Sequence, residues 1–368
     1  MLKNWAVFFV MMVLSLVAQG GAPAAEEKVL NVYNWSDYIA PDTIEKFTKA
    51  TGIKVNYDIY DSNETLFAKL QTGQSGYDLV FPSAAPFLAQ GIKAGMFRTL
   101  DRGKITRWPT LDVITLKSLE VADPGNAHAV PYTVAATGIG YNVDKIRKIL
   151  GADFKPDSWS LIFDPAIVAK LKECGVTLLD TPTETFPAAL LYAGKDGASA
   201  DKADIPIAAD IIKQIRPFIK YFHSSKYIND LANGDICVAH GYMGDLVQAR
   251  SRANEANEGV HIAIYIPKEG AVLNIDTAAI PADAPHPDNA HIFIDFILQP
   301  DRIAALTNAV GYANAVTPAK ALVQKEFQTD PAIYPPPEMQ AKEFELPLVT
   351  ANYERLRTRA WTKVKSGF

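Results

Sequence analysis

After its first 25 residues the chain alternates between two periods of hydrophobicity. "KVLNVYNW" and "IKVNYDIYD" carry the short β-rich pattern of strands. Between them "PDTIEKFTKATG" has helical spacing, with Pro41 in its first turn and Gly52 just past its last. "SNETLFAKLQTG" repeats the helical pattern, opening at Ser62 or Asn63 and stopping at Gly73, and "YDLVFPS" returns to strand. This βαβαβ order predicts a mainly parallel sheet with helices on both faces. In such sheets ligands sit beyond the carboxyl ends of the strands, where "NWSDY" and Pro82-Ser83 both fall.

"TGIGYNVDKI" then reads as a glycine-flanked strand crossing between lobes. The second alternating region runs to about Gly259 and includes a helix-like stretch, "IPIAADIIKQIRPFIKYF", and a strand-like one, "DICVAHGY". "VHIAIYIPKEGAVLNIDTAAIP" has strand character with a turn at Gly270, and helical patterns resume at "NAHIFIDFILQPDRIAALT". These crossings predict an α/β molecule of two discontinuous lobes, residues 26–133 with 260–311 and residues 134–259 with 312–368.

The first 25 residues are of another kind. Lys3 is followed by an apolar run from Trp5 to Val17 and then by Ala-Pro-Ala-Ala, which reads as a cleavable secretory leader. The run falls short of the ~20 residues of a membrane span. The formal net charge of −5 argues against a nucleic-acid partner. Cys174 and Cys237 are the two cysteines; in an exported protein an even count favours a disulfide, with two separate buried thiols as the alternative.

Catalytic and metal signatures are missing from the sequence. There is no G-x-S-x-G elbow, H-E-x-x-H, Walker loop or C-x-x-C, and the six histidines show no pair at ligand spacing within a helix. No cofactor or metal is implied. Gly138 and Gly140 lack the third glycine of a dinucleotide fingerprint and read as a hinge. A secreted hydrolase would need Ser36 or Ser83 beside one of the scattered histidines. What stands out is acid and aromatic side chains together at strand ends, a combination suited to an organic cation: carboxylates satisfy the ammonium and ring faces cover its methylenes. For Asp37 alone, capping the helix near Pro41 is the competing role.

"VYNWSDYIAPDTIEKFTKATGIKV", "YDSNETLFAKLQTGQSGYDLVFPS", "ATGIGYNVDKI", "YFHSSKYINDLANGDICVAHGYMGD", "IPKEGA" and "TRAWTKVKSG" together resemble the periplasmic polyamine-binding proteins of bacterial ABC importers, in their putrescine-binding branch. The resemblance covers the whole chain after the leader. It implies a two-lobed periplasmic-binding-protein fold of type II closing over a diamine in the periplasm, with a membrane permease as partner; a monomer is the default expectation. Position by position it marks Trp35, Ser36, Asp37, Tyr38, Ser83, Glu184, Tyr242, Asp245, Asp276 and Tyr312 as ligand contacts, and it implies a Cys174–Cys237 pair. In that reading Asp37, Asp276 and Ser36 take one ammonium, Glu184 and Asp245 the other, and the four aromatics sandwich the chain.

Three departures from the family pattern bear on the ligand. Tyr242 stands where the family often has Trp, Asn274 stands where it has a large aromatic, and Ala84, Ala85 and Pro86 lengthen the loop after Ser83. They widen the ligand class to cadaverine, agmatine, spermidine or an ω-amino acid. A zwitterion's carboxylate calls for Arg, and none of the marked positions is Arg. A sensor that presents its closed form to a membrane receptor is the remaining alternative to transport.

Overall fold

The computed structural model describes residues 26–367; the expected leader lies outside the described residues. Eleven strands form one continuous system: β1 (Val29–Trp35), β2 (Lys54–Tyr60), β3 (Leu79–Val80), β4 (Ala129–Asn142), β5 (Val176–Leu178), β6 (Ile219–Phe222), β7 (Val238–Tyr242), β8 (Ile262–Tyr265), β9 (Ala271–Ala279), β10 (Ala313–Asn314) and β11 (Glu343–Phe344). The order is β2-β1-β3-β9-β4-β7-β5-β6. At one end β2, β1 and β3 are parallel, as the βαβαβ pattern predicts. At the other end β6, β5 and β7 are parallel too. The antiparallel pair β4 and β9 joins the two ends.

Two separate hydrophobic cores lie on this frame. One contains Leu30, Val32, Phe47, Leu66 and Phe293; the other contains Trp159, Phe163, Ile212, Tyr227 and Trp361. The fold is α/β and two-lobed. Packing moves two of the expected crossings. Ile262, Ile266 and Ala271, expected in the first lobe, pack in the second core, because β8 pairs with the far half of β4. Tyr312, Val316, Ala319 and Val323, expected in the second lobe, pack in the first. The chain therefore changes core within β9, between Ala271 and Ile275, and again between Val323 and Ala332.

Local chemistry places the ends of elements. Ser62 caps the helix Asn63–Gln71, accepting from the Thr65 amide, and Gly52 closes the helix Thr43–Thr51 in a left-handed conformation. The helix-like segment from Ile205 stops earlier than its periodicity predicts. It is helical to Ile215, then turns at Arg216–Phe218 and becomes β6. Pro217, which has no N–H to donate, explains the break. Gly138 and Gly140 allow close packing: a Cβ at either would lie 2.5–2.6 Å from Met243 or Leu246 of the helix Met243–Ala256.

Cys174 and Cys237 form a disulfide. They precede β5 and β7, which pair in parallel from Val176 and Val238, so the bond ties neighbouring strand starts in the second core. The loop it closes spans 63 residues, which corresponds to about 4 kcal/mol of lost unfolded-state entropy. Replacing both cysteines with Ser should lower the unfolding free energy by roughly that amount in denaturant titrations; an unchanged midpoint would contradict it.

Candidate functional site

A cavity lies where the two lobes meet, on one face of the crossing strands. From the first core it is lined by Trp35, Ser36, Tyr38, Asp61 and Ser83; Asn274 and Asp276 of β9 line it, as does Tyr312. The second lobe contributes Ser224, Ser225, Tyr242 and Asp245. Asp61, Ser224 and Ser225 were not singled out from the sequence. They follow the ends of β2 and β6, so the strand-end rule that selected "NWSDY" also points to them.

Asp276 sits at the crossing of β9 with β4. Ser83 Oγ donates to its Oδ1 at 2.6 Å and Tyr38 Oη to its Oδ2 at 2.5 Å. Ser83 is itself fixed by Asn63, whose Nδ2 donates to Ser83 Oγ at 2.9 Å and whose Oδ1 accepts from the Ser83 amide. Burial pushes the Asp276 carboxyl up to about 6, while the two hydroxyls pull it down. Asp245, in the first turn of the helix Met243–Ala256, accepts from Tyr312 Oη at 2.7 Å and Tyr227 Oη at 2.6 Å. Burial raises it to about 7. Tyr312 reaches Asp245 across Gly244, where a Cβ would fall 2.0 Å from the tyrosine ring.

The rings form a box. Trp35 is held by its indole N–H on Phe81 O at 2.7 Å and packs against Tyr60 at 4.7 Å. Its ring lies 6.3 Å from Tyr242 and 6.4 Å from Tyr38, both edge-on, and Tyr38 meets Tyr312 edge-on at 4.7 Å. Ser36 Oγ donates to Tyr60 O.

Two marked residues lie elsewhere. Glu184, in the first turn of the helix Pro182–Tyr192, is buried but does not line the cavity. One of its carboxyl oxygens has no hydrogen-bond partner, nor has the Asn274 amide nitrogen. Burial raises Glu184 to about 8, against a smaller opposite pull from the Asn274 side chain. Asp37 is exposed, at φ 53°, and its carboxylate is taken up by Arg252 of the other lobe at 2.8 Å. Arg252 is steadied by Asn229 at 2.6 Å, and Gln248 donates to Asp37 O at 3.4 Å. Asp37 therefore bridges the lobes at the mouth. Nor does it cap a helix: Asp42 occupies the cap position of Thr43–Thr51, without a side-chain cap bond, and pairs with Lys46.

The lengthened loop leaves the cavity alone. Residues 84–88 form a short turn with Phe87 against Phe67 at 5.4 Å, and none of Ala84, Ala85 or Pro86 lines the site. Asn274 does, so it opens that wall to polar contact. Among the described residues no histidine is bonded to Ser36 or Ser83. His128, His261 and His286 pair with Asp123, Asp144 and Asp78, His291 meets the Asp101 amide and His223 the Ser225 amide. His240 is buried with both ring nitrogens unpartnered.

Residues 42–335 match the family described as bacterial extracellular solute-binding protein. The chain belongs to this family. It is 49% identical over 367 residues to the putrescine-binding periplasmic protein SpuD of Pseudomonas aeruginosa, covering 100% of both chains. With the putrescine-binding periplasmic protein PotF of Escherichia coli it shares 50% over 366 residues, covering 99% of this chain and 98% of that one. The solved TpPotD lipoprotein of Treponema pallidum superposes with a TM-score of 0.77 at 27% identity, over 92% of this chain and 99% of the other.

The Asp37–Arg252 pair is partly exposed, so it should contribute no more than about 1 kcal/mol to closure. Arg252→Ala is expected to weaken ligand binding two- to fivefold, through faster dissociation, and to flatten its salt dependence. A hundredfold loss in a titration would contradict so small a contribution.

Proposed function

We propose that the protein captures a polyamine, of the putrescine class, in the periplasm and delivers it to an ABC permease. It acts as a binding protein and not as an enzyme. The observation that carries the reading is the pairing of an aromatic box with acids that have no cation of their own. Asp276 and Asp245 line the cavity, Glu184 lies behind Asn274, and burial raises all three above the usual carboxylate range. Arg252 is spent on Asp37 and no Arg lines the cavity, which favours a dication over a zwitterion.

In this mechanism the lobes, residues 26–133 with about 275–323 and 134–271 with about 332–367, close as bodies about β4, β9 and the third crossing. Asp276, with Ser83 and Tyr38 holding its orientation, takes one ammonium. Asp245, held by Tyr227 and Tyr312, takes the other, and Glu184 adds negative potential from behind Asn274, on the side of Asp276. Trp35, Tyr38, Tyr242 and Tyr312 cover the methylenes, each ring adding roughly 0.5–2 kcal/mol where it faces an ammonium. The identity shared with two putrescine-binding relatives supports the choice of diamine. The closed monomer is the form that a permease would read.

Protonation follows from the raised carboxyls. Each group binds a proton more tightly in the closed empty cleft than in water, so that form is favoured at low pH and loses stability as pH rises through about 6 to 8. A dication reverses the sign, because it stabilises the ionised acids. Calorimetric titration of ligand-free protein with putrescine near pH 6, where the closed, protonated empty form is populated, should therefore release about one proton, read from the dependence of enthalpy on buffer. Affinity should fall as pH drops from 8 to 6. Proton uptake, or affinity that rises with acid, would contradict the carboxylate assignment.

Asp276→Asn should cost at least a hundredfold in putrescine affinity, since it leaves a buried ammonium without its charge partner. Wild type should gain about 2.7 kcal/mol of stability at a ligand concentration of a hundred times Kd. If neither diamines, longer polyamines nor ω-amino acids stabilise the protein, the reading fails.

A further inference from the structure

The strands that carry the ligand carboxylate have a second face. Along β9, Asn274 and Asp276 point into the cleft, while Leu273 and Ile275 point the other way, as strand alternation requires. On β4, Thr133 reaches toward the cleft by bonding Tyr38, and Val134 lies behind it opposite Ile275 and Ala313. These back-facing residues floor a groove of about 490 Å³.

Its walls belong to different lobes. One is the helix Val113–Leu119, with Ile114, Thr115 and Ser118 on the groove; Leu116 and Leu119 of that helix pack in the first core. The other is formed by Ile333, Tyr334, Gln340 and Glu343, and Ile333 and Tyr334 pack in the second core. Cleft and groove thus lie on opposite sides of the same hinge strands. Rotating the lobes apart in front brings the groove walls together behind.

The groove has its own acid. One carboxyl oxygen of Glu343 is buried without a hydrogen-bond partner, and burial alone pushes the group up to about 7. The other charged groups on the groove are engaged. Asp112 accepts from the Thr115 amide and hydroxyl, both at 2.8 Å, and Lys320 Nζ sits 4.8 Å from the centre of the Tyr334 ring. An aliphatic floor with one unpaired carboxyl at its edge matches a primary alkylammonium: the chain covers Val134, Leu273 and Ile275 while the ammonium meets Glu343.

We propose that the groove behind the hinge is a second, regulatory site for a primary alkylammonium, whose occupant wedges the lobes in the closed state and slows release from the cleft. Coupling of this kind is reciprocal, so cleft ligand also tightens the groove. The coupling rests on the polyamine reading of the cleft; the existence of the groove site does not.

The test uses the mature protein first titrated to saturation with putrescine, so that the cleft is occupied, and then titrated with hexylammonium by calorimetry and NMR. Putrescine release is timed in a chase with and without hexylammonium. Expected are hexylammonium binding to the saturated protein, at least tenfold weaker binding in Glu343→Gln, and a severalfold slower release of putrescine in wild type only. Glu343→Gln alone should leave putrescine affinity unchanged. Leu273→Trp, which fills the groove, should slow release without hexylammonium; Ile114→Trp does the same from the helix wall if the first variant fails to fold. Absence of binding to the saturated protein, equal binding in Glu343→Gln, or faster release would each overturn the proposal. Should putrescine give no heat in the first titration, the cleft reading fails by itself, and the groove is then judged from hexylammonium binding to wild type against Glu343→Gln.

Discussion

The structure turns on the burial of acid between two lobes without a cation to match it. Asp276 and Asp245 are each oriented by two hydroxyl donors, Ser83 with Tyr38 and Tyr227 with Tyr312. Those four hydroxyls satisfy lone pairs but supply no charge, so desolvation still raises both carboxyls. Glu184 goes further, with one oxygen unpartnered. A closed cleft in this condition is costly unless it is protonated or filled. The same penalty gives the ligand its leverage over the equilibrium between open and closed forms, because a ligand shifts such an equilibrium only by its differential affinity for the two states.

The frame makes that leverage mechanical. β4 and β9 run through both lobes and carry cleft residues on one face and apolar groove residues on the other. Glycines are placed where rings and helices must come close. Gly244 admits the Tyr312 ring, and Gly138 and Gly140 admit the helix that bears Asp245. The partly exposed Asp37–Arg252 pair adds a contact across the mouth, a small term beside the buried acids.

Much of this was legible in the sequence. Periodicity with Gly52, Ser62 and Gly73 as punctuation located the first βαβαβ unit, and the strand-end rule located Trp35, Ser36, Tyr38 and Ser83. Asp276 was marked by the family resemblance. What local pattern could not reach depends on contacts between distant segments. The partner of Asp37 lies 215 residues away, and the lobe to which 260–271 belongs is decided by β8 pairing with β4. The same limit applies to Glu184, which the family resemblance marked and local pattern could not place: a helix-start acid looks alike whether it is solvated or buried behind Asn274. Pro217 is different: it was in plain view, and its missing N–H accounts for the early end of a segment that hydrophobic spacing alone reads as one helix.

The most direct test of the central claim is the distance between the lobes, measured by spin labels on Lys54 and Lys213 in ligand-free protein at pH 7.5 and pH 5, and with putrescine at pH 7.5. The account predicts an open distribution for the empty protein at pH 7.5, a shift toward the closed distance on acidification, and full closure with putrescine. An empty protein already closed at pH 7.5, indifferent to acid and ligand alike, would contradict it.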